Sequence, residues 1–210
     1  MSVNRETVWP FSTTGIIESV ITTEQADGSW NVAALGVHTD GSTYSAKTWG
    51  ETRTRVNLSR TNYGYVQTIT DSMDYARAAL DRWTVDDPIL PSAAAWVSVE
   101  TAKTETGSTN GTTWVKWILH PEHSEIKERH VPTPTRGFPA VVEMTIAASR
   151  LGVPSYDQDL LVERLDYFND VVKTCGTQQD REAANWILST IDEQIIENHG
   201  EPDSVGSDSR

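Results

Sequence analysis

Two threonines and two arginines in succession, Thr52-Arg53-Thr54-Arg55, open a segment of helical composition over residues 52–60. A helix start offers N–H groups without intrahelical acceptors and the positive end of the helix dipole. Hydroxyl and guanidinium donors beside it complete the donor set that a phosphate monoester needs. A plainer reading pairs the same arginines with surface carboxylates, and this segment alone does not separate the two. Upstream, Asn31-Val32-Ala33-Ala34-Leu35-Gly36-Val37 is a strand poor in side chains. Small residues in a strand leave space that a neighbouring chain or a ligand must fill.

Taken together, the two segments suggest one ligand. The peptide groups of the small-residue strand can hydrogen-bond the pyrimidine side of a flat heterocycle, and Ala33, Ala34 and Gly36 let a ring lie close. A phosphate at one end and a flat ring at the other is the outline of FMN. Other chemistry is weaker. His120, His123 and His130, with Glu122 and Glu125, are candidate metal ligands, but Pro121 imposes a turn where a shared helical face would be needed. They are expected to form an exposed polar loop. Cys175 stands at a helix C-terminus, where the dipole gives a thiolate no support, and reads as a small, partly buried side chain. No G-x-S-x-G elbow, Walker loop or G-x-G-x-x-G is present. No catalytic residue and no metal ligand is assigned.

The elements that must position these residues follow from period and punctuation. Strands are expected over 15–23, 30–38, 44–49, 63–70, 95–106 and 112–120, with turns at Asp27-Gly28 and Asp40-Gly41. Short helices are expected over 52–60 and 73–83, and Asp86 to Ser92 reads as a loop. On the last strand Val115 and Trp117 face one way, Trp114 and Lys116 the other. The VPTPT stretch at 131–135 is a stiff connector. Beyond it the period becomes helical: 138–151; a helix after Ser155, which with Gln158 forms a capping box; and a third after Thr177. Residues 1–14 read as a loose lead-in and 199–210 as a disordered tail. Strands first and helices afterwards make an α+β protein, and short antiparallel strands favour a barrel over residues 15–130, followed by a helical part over 136–198.

The 210 residues carry 30 Asp and Glu against 17 Lys and Arg, a net charge of −13, and the basic residues comprise 12 Arg and 5 Lys. A surface this acidic repels phosphate backbones, which argues against nucleic acid as a partner. It also fits a protein adapted to molar salt, as in halophilic archaea, where screening removes the self-repulsion of dense carboxylates. No apolar run is long enough to span a bilayer, and the single cysteine excludes an internal disulfide framework. A cytoplasmic protein is expected.

With these residues in view, the chain resembles the archaeal-type FMN-binding split-barrel family known as domain of unknown function 447, itself similar to flavin-reductase-like split barrels. The similarity covers roughly residues 14–198. Gly15 to Thr23 resembles the family's first strand, and Asn31 to Val37 its Asn-Ala-Ala-Pro-Met-Gly-Val element, with Ala34 in place of the proline. Thr52 to Leu58 resembles its Gly-Ser-x-Thr-Tyr-x-Asn-Leu element, with Glu51 in place of the glycine and Arg55 in place of the tyrosine. Arg136, Ala140 to Glu143 and Ala148 to Leu151 resemble its helical motif, with Thr135 in place of an asparagine.

The resemblance implies an FMN-binding split β-barrel followed by a three-helix C-terminal subdomain, and a homodimer with flavin near the interface. Thr52, Arg53 and Thr54 are expected at the phosphate, with Arg55 a nearby charge. Asn31 and the backbone of Ala33, Ala34, Leu35 and Gly36 are expected at the ring. The activity this suggests is an NAD(P)H-dependent FMN oxidoreductase. The alternatives are a non-catalytic module holding flavin or another phosphorylated ligand, and a structural interaction protein.

Overall fold

The computed structural model describes residues 9–10, 14–109, 111–128 and 134–199, with side chains to 191. The chain forms two compact units, Met1–Pro134 and Thr135–Arg210. In the first, seven strands run in chain order: β1 (Gly15–Glu24), β2 (Trp30–Thr39), β3 (Tyr44–Trp49), β4 (Tyr63–Ile69), β5 (Trp83–Val85), β6 (Ala93–Thr109) and β7 (Thr112–Ile126). They pair antiparallel in the order β1-β4-β6-β7-β3-β2, and a β1–β2 ladder from Gly15↔Thr39 to Glu24↔Trp30 closes the ring into a six-stranded barrel. β5 adds to the free side of β2.

Alternation along each strand fills the barrel. Ile21, Leu35, Val37, Val66, Val97, Val99, Val115 and Trp117 point inward and are buried, as period two demands. The Trp117 indole finds its acceptor at Thr48 Oγ1, 3.0 Å away. Two further pieces complete this core. Trp9 stacks on Tyr44 with ring centroids 3.9 Å apart, so the expected loose lead-in carries a buried anchor. Helix α1 (Arg53–Thr61) sends Leu58 into the barrel, where it is 1% exposed.

Helix α2 (Ser72–Leu80) is capped by Asp71, whose carboxylate accepts from the N–H groups of Met73 and Asp74. It lies against β1, β2 and β4, and the Tyr75 hydroxyl donates to Glu18 at 2.8 Å. Burial, then the neighbouring Glu18 carboxylate, pushes the Tyr75 phenol well above its ordinary pKa. The helix was expected to reach Trp83. It ends at Leu80 because Asp81 is extended (φ −108°, ψ 161°) and turns the chain into β5. The loop that follows is tied down by Gln67, which is fully buried: its Oε1 accepts from Leu90 N at 2.8 Å and its Nε2 donates to Pro88 O at 2.9 Å.

β7 also departs from expectation. It continues through Pro121 to Ile126, because Pro121 sits where β7 has β6 on one side and no ladder on the other. His120, Glu122, His123 and Glu125 are thus spread along a strand, not gathered in a loop, and His130 lies outside the described residues. Among the described residues no group of three His, Cys, Asp or Glu side chains converges.

The second unit contains α3 (Gly137–Ala148), α4 (Gln158–Cys175) and α5 (Gln178–His199). The α4 cap is Asp157, which accepts from Leu160 N; Gln158 instead receives Gly152 N, so the expected Ser155–Gln158 box does not form. At α5 Thr177 and Asp180 cap each other: Thr177 N and Oγ1 donate to Asp180 Oδ2, and Asp180 N donates back to Thr177 Oγ1. Leu161, Leu165, Val172, Ala184 and Ile187 form the buried stripes. Cys175 is exposed, not partly buried, and Arg136 approaches its sulfur at 3.7 Å. His199, the first residue of the expected tail, is the last residue of α5, and the connector residues 131–133 and the rest of the tail, 200–210, fall outside the described residues. Among the described residues no helix is long and apolar enough to cross a membrane.

Candidate functional site

A cleft of about 390 Å³ opens at one end of the barrel, between β2, the start of α1 and the end of α2. Its first wall is Asn31, Val32 and Ala33; its second is Glu51, Thr52, Arg53 and Thr54. The two sequence segments that could hold a ring and a phosphate therefore meet in one place. Local chemistry explains how they are joined. The inward-facing Asn31, 5% exposed, donates from Nδ2 to Thr54 Oγ1 at 3.2 Å, a buried bond from strand to helix. One turn on, Asn57 donates to Thr23 O and Oγ1, fixing α1 to β1 as well. Helix and strand are held as one body around the cleft.

Thr52 is the N-cap of α1, and its hydroxyl oxygen accepts from Arg55 N at 3.3 Å. The hydroxyl proton remains for an acceptor in the cleft. The N–H groups of Arg53 and Thr54, in the first turn, have no intrahelical acceptor. Arg53 is exposed; it contributes a small Coulombic pull that, after the Ser29 hydrogen bonds, helps hold the Asp27 carboxyl below its usual range. Arg55 goes elsewhere. Its Nη1 donates to Gly50 O at 3.0 Å and Thr113 Oγ1 at 3.1 Å, which ties the β3–α1 turn to the start of β7.

The strand residues divide by face. Leu35 turns into the core, where it is 6% exposed, while Ala34 and Gly36 face outward. What they offer a ligand is backbone. β2 pairs with β5 at residues 30–32 and with β3 at 37–39, so on that edge Ala33 to Gly36 has no strand partner among the described residues. The unpaired stretch begins at Ala33, the last β2 residue to line the cleft.

The remaining wall, Ala78, Ala79, Asp81 and Arg82, was not expected from the sequence. Extending α2 to Trp83 places Asp81 and Arg82 on a solvent face. The β5–β2 pairing, with Trp83 opposite Val32, brings them to the cleft instead. That pairing joins segments about fifty residues apart, and no local signal encodes it.

Donors for a phosphate, an unpaired strand edge for a polar ring edge, and small side chains at Ala33, Ala78 and Ala79 make a donor set that fits a phosphorylated flat ligand such as FMN. The cleft-lining residues include no His and no Cys.

Residues 17–128 match the N-terminal domain of the family of proteins of unknown function DUF447, and residues 135–189 match the family's second domain. No curated protein sequence matches the chain. Among solved structures, the chain is similar to an FMN-bound DUF447 protein of Methanosarcina mazei, at 20% identity and a TM-score of 0.71 over 85% of this chain and 96% of that one. It is more distantly similar to a putative flavin reductase with a split-barrel domain from Shewanella frigidimarina (16% identity, TM-score 0.40, 55% of this chain and 69% of that one). An FMN-binding protein of Thermus thermophilus gives 13% identity and a TM-score of 0.41, over 64% of this chain and 87% of that one. The first of these likenesses establishes the fold as a split barrel followed by a helical part. With both family domains matched in order along the barrel and the three helices, the chain belongs to the DUF447 family.

Proposed function

We propose that the cleft binds FMN and that the protein is an FMN-dependent oxidoreductase taking electrons from NAD(P)H. The observation that carries the reading is the meeting of Asn31 to Ala33 with Glu51 to Thr54 around one opening, at the point where the β2 edge loses its partner. The FMN-bound state of the Methanosarcina mazei protein supports it, since that protein shares the fold over nearly its whole length.

In this reading Thr52, Arg53 and the first-turn N–H groups of α1 hold the phosphate. The Ala33–Gly36 edge gives and receives hydrogen bonds at the pyrimidine side of the ring, and Asn31 keeps strand and helix in register. Bound FMN supplies the electron-transfer chemistry. The chain's own contribution is to bind, orient and shield, which agrees with a cleft that brings no histidine or cysteine. A homodimer, with the flavin near the subunit contact, belongs to the same proposal; light scattering of the full chain in high salt checks it, and a monomer at micromolar concentration refutes it.

The primary test is the visible spectrum and the mass of any small molecule released from freshly purified protein, followed by anaerobic addition of NADH and of NADPH. A yellow protein that bleaches with either nucleotide is expected. A yellow protein that stays oxidised with both would leave a flavin holder without turnover. A colourless protein with no affinity for added FMN would remove the flavin assignment.

A further inference from the structure

Five arginines are described in the barrel unit, and three are committed. Arg55 donates to Gly50 O and Thr113 Oγ1, Arg60 donates to Glu24 O, and the Arg77 guanidinium lies 4.5 Å from the centroid of the Trp83 ring. The two without a hydrogen-bond, ion-pair or ring partner among the described residues are Arg53 and Arg82, and both line the same cleft. In a chain with 30 acidic residues a free guanidinium has many candidate partners. Two of them left free on opposite walls of one cleft is a departure from that expectation. Glu51 and Asp81 also line the cleft, yet neither makes an ion pair within 4 Å with either arginine. Asp81 spends Oδ1 on Arg82 N at 2.6 Å, which fixes the Arg82 backbone where α2 ends.

We propose that Arg82 is the second arm of an anion clamp, closing on the same phosphate monoester as Arg53 from the α2 side of the cleft. Two like charges facing one opening repel until an anion sits between them, so a dianionic phosphate is favoured and a neutral ring compound gains nothing from the pair. Guanidinium suits this task because its planar fork can present two N–H donors to two phosphate oxygens. The inference rests on the flavin reading for the identity of the ligand, but not for the presence of the clamp.

The experiment uses the full chain in high salt, stripped of ligand. FMN and riboflavin are each titrated, with flavin fluorescence as readout, into wild type, Arg53→Ala, Arg82→Ala and the double variant. Melting curves show that each variant is folded; Arg82→Lys, which keeps the charge but loses the fork, replaces Arg82→Ala should that variant not fold. Arg82→Ala is expected to weaken FMN roughly 10- to 100-fold and leave riboflavin unchanged. The double variant should lose less than the product of the single losses, because both arms act on one anion. Equal weakening of FMN and riboflavin, or no change for either, overturns the clamp while leaving the flavin reading intact. If wild type binds neither flavin, that reading fails, and inorganic phosphate followed by 31P line width decides the clamp. Broadening with wild type that Arg82→Ala abolishes retains it; no broadening overturns it too.

Discussion

The Asn31–Thr54 hydrogen bond places a polar pair where the barrel interior would otherwise take aliphatic side chains, and so makes the joint between β2 and α1 at the cleft depend on a buried donor and acceptor. Thr54→Val keeps the shape and removes the acceptor, leaving the Asn31 amide buried and unpaired. The expected cost is about 1–3 kcal/mol of stability, seen as a lower denaturant midpoint, together with weaker FMN binding as α1 loosens. Tyr75 gives a second test at this scale. Its phenol is raised in the fold by burial and by Glu18, so the folded state keeps the proton after the unfolded state has lost it near pH 10. The sign follows: this contribution is complete below pH 10 and is lost as pH climbs toward the folded value. Stability should fall above pH 10 with a slope of up to ~1.4 kcal/mol per pH unit from this group, and Tyr75→Phe should flatten that part of the profile. That Asn31, Ala33, Thr52, Arg53 and Thr54 share one cleft was legible as far as their types go, because hydroxyl, guanidinium and missing side chains announce themselves locally. Arg82 was not, since a helix end facing solvent and one facing a cleft are written with the same letters.

The helices and strands show the same division between local and non-local information. β1 to β4 and α1 follow turn residues and period, and each lies within a residue or two of expectation. The expected α2 ran on to Trp83, where β5 begins, and β7 was cut short at Pro121, because in both cases pairing with a distant strand decides the outcome and local propensity does not. Gln67 is an element-scale device of this kind: it has the composition of a surface residue, yet it is sealed in by the loop it holds. Gln67→Leu should strand Leu90 N without its acceptor, while Pro88 O keeps the Thr22 hydroxyl as donor, and cost about 1–3 kcal/mol, with raised proteolysis within 86–92 as the readout. In the helical unit, Gly137 lies where α3 begins and the α4–α5 joint passes. A Cβ there would stand 2.7 Å from the Gly176 Cα and would also collide with the Asp180 carboxylate. Gly137→Ala should therefore destabilise this unit by about 1–3 kcal/mol, measured by hydrogen exchange in α3 and α5.

For the molecule as a whole, charge dominates. The net charge is −13, and between described residues only Lys116–Glu105 and Lys173–Asp170 form Lys–carboxylate pairs within 4 Å. Among the described residues the acidic side chains thus have few cationic partners, and dissolved ions are expected to screen their mutual repulsion. Melting temperature should rise steeply from 0.1 M to 2 M KCl; a midpoint that climbs on dilution would count against salt adaptation. The architecture was legible at this scale through the order of its parts, strands and then helices, and through short antiparallel strands that favour a barrel, but which strands meet at its seams was not. Besides the local β1–β2 ladder, the ring needs β3 to meet β7, with α1, β4, α2, β5 and β6 all lying between them in the chain. During synthesis every wall of the cleft, from Asn31 to Arg82, leaves the ribosome before β7 does. The nascent chain thus carries Thr52, Arg53 and Arg82 on an open ribbon, and the β3–β7 seam can zip only after Trp114 to Ile118 have emerged.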